Sequence, residues 1–331
     1  MAKLKVVITD FGDADYHLEA KVFSASGLDI DLVRLNARTP AELLPTVVDA
    51  DALLVQWVKI TPEIIRQLTR CKIISRYGIG VDMVDLQAAG QQGILVCNVP
   101  DYCIEEVSTH TITCLLTLNR RLLIHRQHTQ SGKWGSPPGG PPERLAGQTL
   151  GIVGLGNIGR EVARKAMGLG LKVVGYDPYL PIEQAAALGV ELTGLVELLR
   201  QSDYVALHCP LTQVTHHLIG DMQLALMKSS AYLINMARGA VVDQSALYQA
   251  LTNGVIRGAA LDVLEQEPPA PDDPLLQLDN VLITPHVASW SSAAIEQLRR
   301  QTAQNVVMVL NGQIPPSLVN RQYLSLSGLK D

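Results

Sequence analysis

Aromatic residues are scarce in this chain, since they make up 4% of its 331 residues, whereas hydrophobic residues of all kinds make up 47%. The cores must therefore be built from Ala, Val, Leu and Ile, which is the composition of helices packed on parallel sheets. The length suffices for two domains that each have a core. We therefore expect an α/β protein with two domains.

The chain also lacks the features of several other protein classes. The net charge is −5 and no long run of Lys or Arg is present, which argues against nucleic acid as a ligand. No uncharged apolar run reaches the roughly 18 residues of a membrane helix, and the N-terminus does not have the pattern of a signal peptide. We expect a cytoplasmic protein that binds neither nucleic acid nor membrane.

Cysteine is present, but in no disulfide or metal-binding pattern. The five cysteines are scattered, and none forms a C-x-x-C pair. The neighbouring His216 and His217 lack further ligands at a suitable spacing. We expect buried, reduced thiols and no metal site.

Two series of strand and helix patterns follow one another along the chain. Short β-branched runs alternate with helical periods over the first hundred residues, and six further strands are predicted between 149 and 287. A helix is predicted over 104–125, a surface loop over the Gly- and Pro-rich segment 135–142, and a last helix over 291–310. The tail, 314–331, is too short to fold alone and is expected to return to the first series.

A glycine-rich turn opens the second series and predicts a dinucleotide site. Gly154, Gly156 and Gly159 lie between a β-rich run and a helical stretch, the spacing that a tight turn, a close approach to pyrophosphate and close helix packing require. The next predicted strand ends at Asp177, whose carboxylate suits the ribose hydroxyls of NAD and would repel the 2′-phosphate of NADP. Arg160 or a residue after Pro178 could still bind such a phosphate, so the preference for NAD over NADP stays open.

Three later predicted strands end in polar residues that suit the reduction of a 2-keto acid. These residues are Arg238, Glu267 and His286. The reaction requires a cation to bind the carboxylate and polarise the ketone, and an acid to protonate the forming alkoxide. Arg238 suits the first role and His286 the second, while Glu267 can orient the imidazole. A surface ion pair, a helix-capping acid and a structural histidine are the respective alternatives.

Two further segments are candidates for ligand binding. Tyr77, Gly78, Ile79 and Gly80 follow a predicted strand, and their backbone N–H groups could bind the substrate carboxylate. A plain turn with Asp82 as the helix cap is the alternative. The segment that contains His208 and Pro210 follows the strand 204–207 and is expected to line the nicotinamide or the adenine side of the cofactor.

Taken together, these motifs resemble the D-isomer-specific 2-hydroxyacid dehydrogenases. The resemblance covers nearly the whole chain and rests on an ordered set of segments: 154–159, 176–178, 235–239, 258–263, 267–268 and 284–286. It implies two doubly wound parallel-sheet domains, in which a Rossmann NAD-binding domain (99–289) is inserted into a flavodoxin-like substrate domain (1–98 with 290–331). It also implies a homodimer joined through the Rossmann domains.

The resemblance further implies roles for individual residues. Arg238, Glu267 and His286 match the catalytic set, and Ile79 and Gly80 match the loop that binds the substrate carboxylate. The positions that match cofactor contacts are Asn157, Ile158, Asp177, Thr212, Met236, Ala237, Arg238 and Asp262.

Within the family, segments 99–106, 176–180 and 314–320 are most similar to the branch of the C-terminal-binding-protein corepressors. Those proteins carry a Trp three residues after the catalytic His, whereas this chain has Ser289 there and Trp290 next. We predict an NAD-dependent D-2-hydroxyacid dehydrogenase that favours keto-acid reduction. An NAD(H)-responsive binding scaffold with vestigial chemistry is the alternative. Tyr77, Tyr102, Ser289 and Trp290 could shape pockets for substrates from glyoxylate to aryl-pyruvates, so the substrate itself stays open.

Overall fold

The computed structural model of the chain describes residues 3–11, 15–136 and 140–324. The chain divides into two compact units, the first formed by Met1–Tyr102 with Ser291–Asp331 and the second by Cys103–Trp290. These divisions follow residues 102 and 290, whereas the resemblance placed them after 98 and 289.

The first unit is built on a five-stranded sheet. Its strands are β1 (Leu4–Ile8), β2 (Ile30–Arg34), β3 (Ala52–Val55), β4 (Ile73–Arg76) and β5 (Leu95–Cys97), and its first helices are α1 (His17–Ala25), α2 (Pro40–Val47), α3 (Pro62–Ile65) and α4 (Leu86–Gln91). All neighbouring strands are parallel, in the order β2-β1-β3-β4-β5. This is the flavodoxin-like order that was predicted.

Both faces of this sheet are covered by apolar side chains. Val7, Leu53 and Ile74 belong to the cluster on one face, whereas Ile8 and Leu54 belong to the cluster on the other. Successive side chains of a strand point to opposite faces, so a strand buried on both faces is apolar throughout. This is why the sequence shows continuous apolar runs here rather than an alternation.

The second unit is built on a seven-stranded parallel sheet. Its strands are β6 (Thr149–Val153), β7 (Lys172–Tyr176), β8 (Glu191–Leu192), β9 (Tyr204–Leu207), β10 (Tyr232–Asn235), β11 (Gly258–Leu261) and β12 (Val281–Ile283), in the order β12-β11-β10-β9-β6-β7-β8. Its helices are α5 (Ile104–Asn119), α6 (Leu122–Gln130), α7 (Asn157–Gly168), α8 (Ile182–Ala187), α9 (Leu195–Gln201), α10 (Asp221–Leu226) and α11 (Gln244–Thr252). The six predicted strands are confirmed and follow a Rossmann order, and β8 is a seventh strand that was not predicted.

The helix predicted over 104–125 is wrong as a single element. It ends at Asn119, and a second helix begins at Leu122. Arg121 between them has a φ of +51°, in the left-handed region, so the chain turns there. The pattern of apolar residues continues across this break and therefore did not reveal it.

The chain returns to the first unit through α12 (Ser292–Leu310), as predicted. The side chain of Ser291 caps this helix, since its Oγ accepts a hydrogen bond from Ala294 N at 3.0 Å. Among the described helices, none combines the length and the apolar character of a transmembrane span.

The tail after α12 packs on the first unit, as expected. Val319 N donates to Val96 O at 2.9 Å, and Asn320 Oδ1 accepts from Val96 N at 2.9 Å. Residues 325–331 of the predicted tail and 137–139 of the predicted surface loop lie outside the described residues.

Candidate active site

The glycine-rich turn after β6 has the geometry that its sequence predicts. Gly154 has a φ of +94°, and a Cβ atom there would lie 2.6 Å from Cys209 N. A Cβ atom on Gly159 would overlap the carbonyl oxygen of Gly154, whereas one on Gly156 would meet nothing within 4 Å. The first and third glycines therefore serve the turn and the helix packing, and the second leaves an open approach to the backbone.

Helix α7 begins directly at this open side. Gly156 precedes its first residue, and the N–H groups of Asn157 and Ile158 belong to its first turn. The N-terminal turn of a helix leaves N–H groups without helical partners and carries a partial positive charge. A pyrophosphate group fits this position.

Asp177 follows β7 and has two roles, of which the sequence predicted one. Its Oδ2 accepts a hydrogen bond from Leu155 N and its Oδ1 accepts one from Tyr179 N, both at 2.9 Å. An ionised carboxylate has about four acceptor positions, so capacity remains for ribose hydroxyls. The carboxylate thus holds the glycine turn as well as offering acceptors to a ligand.

His208 lies directly after β9 and is partly exposed, but both of its ring nitrogens are buried and make no hydrogen bond within the described residues. This burial lowers the pKa of the imidazole to about 4, so the ring is neutral at physiological pH. The following turn is closed by Thr215, whose Oγ1 donates to Pro210 O at 2.6 Å and accepts from Thr212 N at 2.8 Å.

The turn after β10 delivers Arg238. Asn235, whose side chain has no role in the sequence-based prediction, fixes this turn: its Nδ2 donates to Arg238 O at 2.9 Å and its Oδ1 accepts from Ala237 N at 3.0 Å. Met236 is 8% exposed, so its side chain lies in the core. Arg238 itself is half-buried, and its Nη1 donates to Ala237 O at 2.8 Å.

His286 and Glu267 form the pair that the sequence predicted. His286 Nδ1 lies 2.7 Å from Glu267 Oε2, and Glu267 Oε1 accepts a hydrogen bond from Leu264 N at 3.0 Å. Burial raises the pKa of Glu267, but the hydrogen bond and the charge of His286, the N–H of Leu264 and the charge of Arg238 together hold this pKa below its usual value. The carboxylate is therefore ionised beside the imidazole.

Asp262 fixes the segment that carries His286. The carboxylate of Asp262 is buried, and it accepts hydrogen bonds from Thr284 Oγ1 at 2.5 Å, Val287 N at 2.9 Å and Ala288 N at 2.8 Å. His286 has a φ of +55°, a backbone conformation that is costly for a residue with a side chain. The bonds to Asp262 compensate for this strain.

His110 of α5 joins the same network and was missed by the sequence analysis. Its Nε2 lies 3.1 Å from Thr284 Oγ1 and 3.9 Å from Asp262 Oδ1. A single histidine within an amphipathic helix pattern gives no local signal of such a contact, because its partners lie far away in the chain.

In the first unit, Tyr77 contributes its backbone rather than its side chain to the predicted carboxylate loop. The ring is 1% exposed, and its hydroxyl donates to Glu19 at 3.0 Å, which is in turn paired with Arg299. The guanidinium of Arg76 donates to Tyr77 O. This buried cation at the end of β4 is a second feature that the sequence analysis did not assign.

The rest of this loop is held by hydrogen bonds to its carbonyl groups. Gly78 has a φ of +144° and its carbonyl accepts from Val99 N at 3.0 Å, while the carbonyl of Ile79 accepts from Asn98 Nδ2 at 2.7 Å. Within the described ranges, the N–H groups of Ile79 and Gly80 make no hydrogen bond. With the carbonyls bonded and the amides open, the loop has the character of an anion site.

The remaining expectations concern thiols and metals. None of the five cysteines forms a disulfide; Cys97, Cys103, Cys114 and Cys209 are buried, while Cys71 is partly buried. In the part of the chain that the structure describes, no group of three or more His, Cys, Asp or Glu side chains is arranged to hold a metal ion.

Comparison with known proteins supplies a family and several relatives. Residues 112–288 match the family described as D-isomer specific 2-hydroxyacid dehydrogenase, NAD binding domain. The D-3-phosphoglycerate dehydrogenase of Methanocaldococcus jannaschii is 42% identical over 284 residues, which cover 85% of this chain and 54% of that relative. The chain therefore spans about half the length of that enzyme.

Two further relatives match over most of both chains. The glyoxylate reductase of Korarchaeum cryptofilum is 40% identical over 289 residues, which cover 86% of this chain and 87% of the relative. The crystal structure of D-lactate dehydrogenase from Aquifex aeolicus, complexed with NAD and lactic acid, has a TM-score of 0.86 and 32% identity, and it covers 93% of this chain and 96% of that one.

Proposed function

Because this chain belongs to the D-isomer-specific 2-hydroxyacid dehydrogenases, we propose that it interconverts small 2-keto acids and D-2-hydroxy acids with NAD as its cofactor. The observation that carries the proposal is the 2.7 Å contact between His286 Nδ1 and Glu267 Oε2 at the end of β12. A proton-transferring group with an ionised partner is what the reaction requires of the protein.

The second unit holds the cofactor. Gly156 leaves the backbone open, the first turn of α7 offers N–H groups to the pyrophosphate, and Asp177 offers acceptors to the adenosine ribose. Bound there, NAD would supply the hydride chemistry of the reaction at C2 of the substrate. The segments after β9, β10, β11 and β12 are assigned to the same cofactor site, with contacts from His208, Pro210, Thr212, Met236, Ala237, Arg238, Asp262 and His286.

His286 moves the proton. The contact of Nδ1 with the Glu267 carboxylate orients the ring, so that Nε2 can give a proton to the forming alkoxide during reduction and take it back during oxidation. Glu267 stays ionised and does not itself transfer the proton, because its pKa lies below the usual value.

Arg238 and the loop formed by Tyr77, Gly78, Ile79 and Gly80 bind the substrate. The guanidinium polarises the carbonyl and pairs with the carboxylate, as Arg does elsewhere through its fork of N–H donors. The open amides of Ile79 and Gly80 in the first unit are suited to a carboxylate. Tyr102, Ser289 and Trp290 are candidates for contacts with the substrate side chain, and Trp290 is 69% exposed.

The test is the consumption of NADH with a panel of 2-keto acids: glyoxylate, hydroxypyruvate, pyruvate, 2-ketobutyrate, 2-ketoisocaproate and phenylpyruvate. We expect turnover with at least one member, and oxidation of the matching D-2-hydroxy acid but not of its L-enantiomer. Tight NADH binding without turnover on any member would contradict the proposal and favour the NAD(H)-responsive scaffold. The similarity to the corepressor branch stays a prediction.

Two further assignments belong to this proposal. A homodimer joined through the second unit is supported by α6, in which no residue is buried although Leu122 and Ile124 are apolar, and by the 92% exposed Trp134. A cytoplasmic location is supported by five cysteines that form no disulfide, since thiols persist in a reducing compartment.

A further inference from the structure

Leu155, between the first two glycines of the turn, is held in place through its side chain, its N–H group and its carbonyl group. Its side chain is fully buried, and a Cβ atom on Gly175 would lie only 2.5 Å from its Cδ1. Its N–H donates to Asp177 Oδ2 at 2.9 Å. Its carbonyl accepts a hydrogen bond from Arg160 Nε at 2.8 Å.

These contacts hold the turn from two sides. Asp177 follows β7 and bonds the peptide before Leu155, whereas Arg160 lies in the first turn of α7 and bonds the peptide after it. Gly154 and Gly156 flank Leu155, and glycines lose more conformational entropy on ordering than other residues. Without both bonds, a turn with this composition would sample many conformations before a cofactor arrives.

The position of Arg160 needs a physical reason. A cation in the first turn of a helix is opposed by the helix dipole, which favours anions there. Direct contact with a phosphate would be one reason for a cation at this place, and the sequence left open a contact with the 2′-phosphate of NADP. In the structure, however, Arg160 Nε is bonded to the turn itself.

We propose that Arg160 is a positioning residue for the dinucleotide: through its bond to Leu155 O it holds the glycine turn in the cofactor-binding conformation in the free protein, and it does not read a phosphate. This rests on the proposed function only in that the turn binds a dinucleotide. The role depends on one N–H donor, not on the positive charge.

Three variants of Arg160 distinguish the effect of its hydrogen-bond donor from the effect of its positive charge. Arg160→Gln places an amide N–H at the same number of bonds from the backbone as Arg Nε but has no charge. Arg160→Lys keeps the charge but moves the donor one bond further out, and Arg160→Met has neither. Arg164→Met is the matched control, because Arg164 lies one turn further along α7 and its guanidinium donates to Glu161 rather than to the glycine turn.

Two quantities are measured: deuterium uptake of residues 153–159 in the cofactor-free protein, and the Kd values of NADH and NADPH by fluorescence. We expect Arg160→Met and Arg160→Lys to exchange faster and to bind NADH about 5- to 10-fold more weakly, the effect of one lost hydrogen bond. The Kd of NADPH should rise by the same factor. Arg160→Gln and the Arg164 control should remain close to the wild type.

The opposite ranking would overturn the proposal. If Arg160→Lys binds as the wild type does while Arg160→Gln is impaired, the charge acts directly on a phosphate. If only the Kd of NADPH changes, Arg160 binds the 2′-phosphate. Unchanged deuterium uptake in Arg160→Met would exclude the positioning role. If the wild type itself binds no NADH, the proposed function fails, while the exchange measurement still decides whether Arg160 holds the turn.

Discussion

Glu267 determines how His286 can act. Burial alone would raise the pKa of Glu267, yet this pKa is lowered because His286, Leu264 N and Arg238 all stabilise the ionised form. Glu267 is therefore ionised at any pH above the usual carboxylate range, and the stability that its ionised form contributes is lost only as the pH falls through the lowered value.

Replacing Glu267 by Gln removes the negative charge of the group that contacts His286 Nδ1. We expect the pH profile of keto-acid reduction to change, and kcat at neutral pH to fall by about 10- to 100-fold, less than the roughly 100- to 10,000-fold effect of a complete acid–base group because His286 itself remains. The measurement is kcat against pH. The control is Glu265→Gln, which breaks a different His–Glu pair, with His217, and should leave the profile in place; an unmoved profile in Glu267→Gln would exclude the assigned pairing.

His208 makes folding sensitive to acid. Because its pKa is about 4 in the folded protein and about 6.5 in the unfolded chain, only the unfolded chain takes up this proton between those values. Stability is therefore complete above about pH 6.5 and is lost as the pH falls towards 4. The variant His208→Leu should lose less stability than the wild type between pH 7 and 5, by on the order of 1 kcal/mol.

Denaturant unfolding at pH 7 and at pH 5 measures how much stability each protein loses between these values. Any effect of the substitution that is equal at both pH values cancels in this comparison. The exposed His17, replaced by Leu, serves as the control. Equal losses in His208→Leu and in the wild type would show that the ring is not held neutral.

At the scale of secondary-structure elements, the conformation of the segment between β11 and α12 depends on the carboxylate of Asp262. Asp262 bonds the hydroxyl of Thr284 and two backbone N–H groups beyond His286. Asp262→Asn replaces one acceptor oxygen with a donor that faces other donors. We expect a loss of about 2–3 kcal/mol in the free energy of unfolding and a fall of more than about 10-fold in kcat/KM.

The milder variant Thr284→Val removes a single hydroxyl and should cost about 1 kcal/mol. Unfolding curves and steady-state kinetics measure both variants. An Asp262→Asn protein with wild-type stability and turnover would show that these bonds do not position His286.

Elements and turns that depend on residues close in the chain could be predicted from the sequence. The glycine spacing, the acidic end of β7 and the polar ends of the later strands each depend on residues close in the chain, so the turn at Gly154 and the pair of Glu267 with His286 were predicted correctly. The break at Arg121 depends on a single left-handed residue, and β8 has only two residues. Neither leaves a periodic signal.

Positioning contacts were less predictable, because they join distant residues. The bonds of His110 to Thr284 and of Tyr77 to Glu19 span large sequence separations. Tyr77 illustrates the consequence: its place at a strand end predicted a pocket side chain, but its ring fills the core. The residues proposed to contact ligands follow from strand ends, whereas the residues that position them follow only from the folded arrangement.

At the scale of the molecule, assembly is the main open prediction. Helix α6 has no buried residue, so a second copy is expected to cover its apolar side chains. Light scattering during gel filtration should give twice the 35.9 kDa of one chain. Leu122→Glu combined with Ile124→Glu should shift the mass to one chain, whereas Ile182→Glu, at a 71% exposed position on α8, should not. A monomeric wild type would contradict the assignment.

The most direct test of the proposed chemistry is the variant His286→Asn, measured for both turnover and NADH affinity. The matched control is His217→Asn, which removes a histidine that also faces a glutamate in the second unit, with Nε2 at 2.9 Å from Glu265. We predict that His286→Asn loses turnover by at least about 1,000-fold and binds NADH as tightly as the wild type, and that His217→Asn keeps both. Retained turnover in His286→Asn would contradict its role as the acid and base of the reaction.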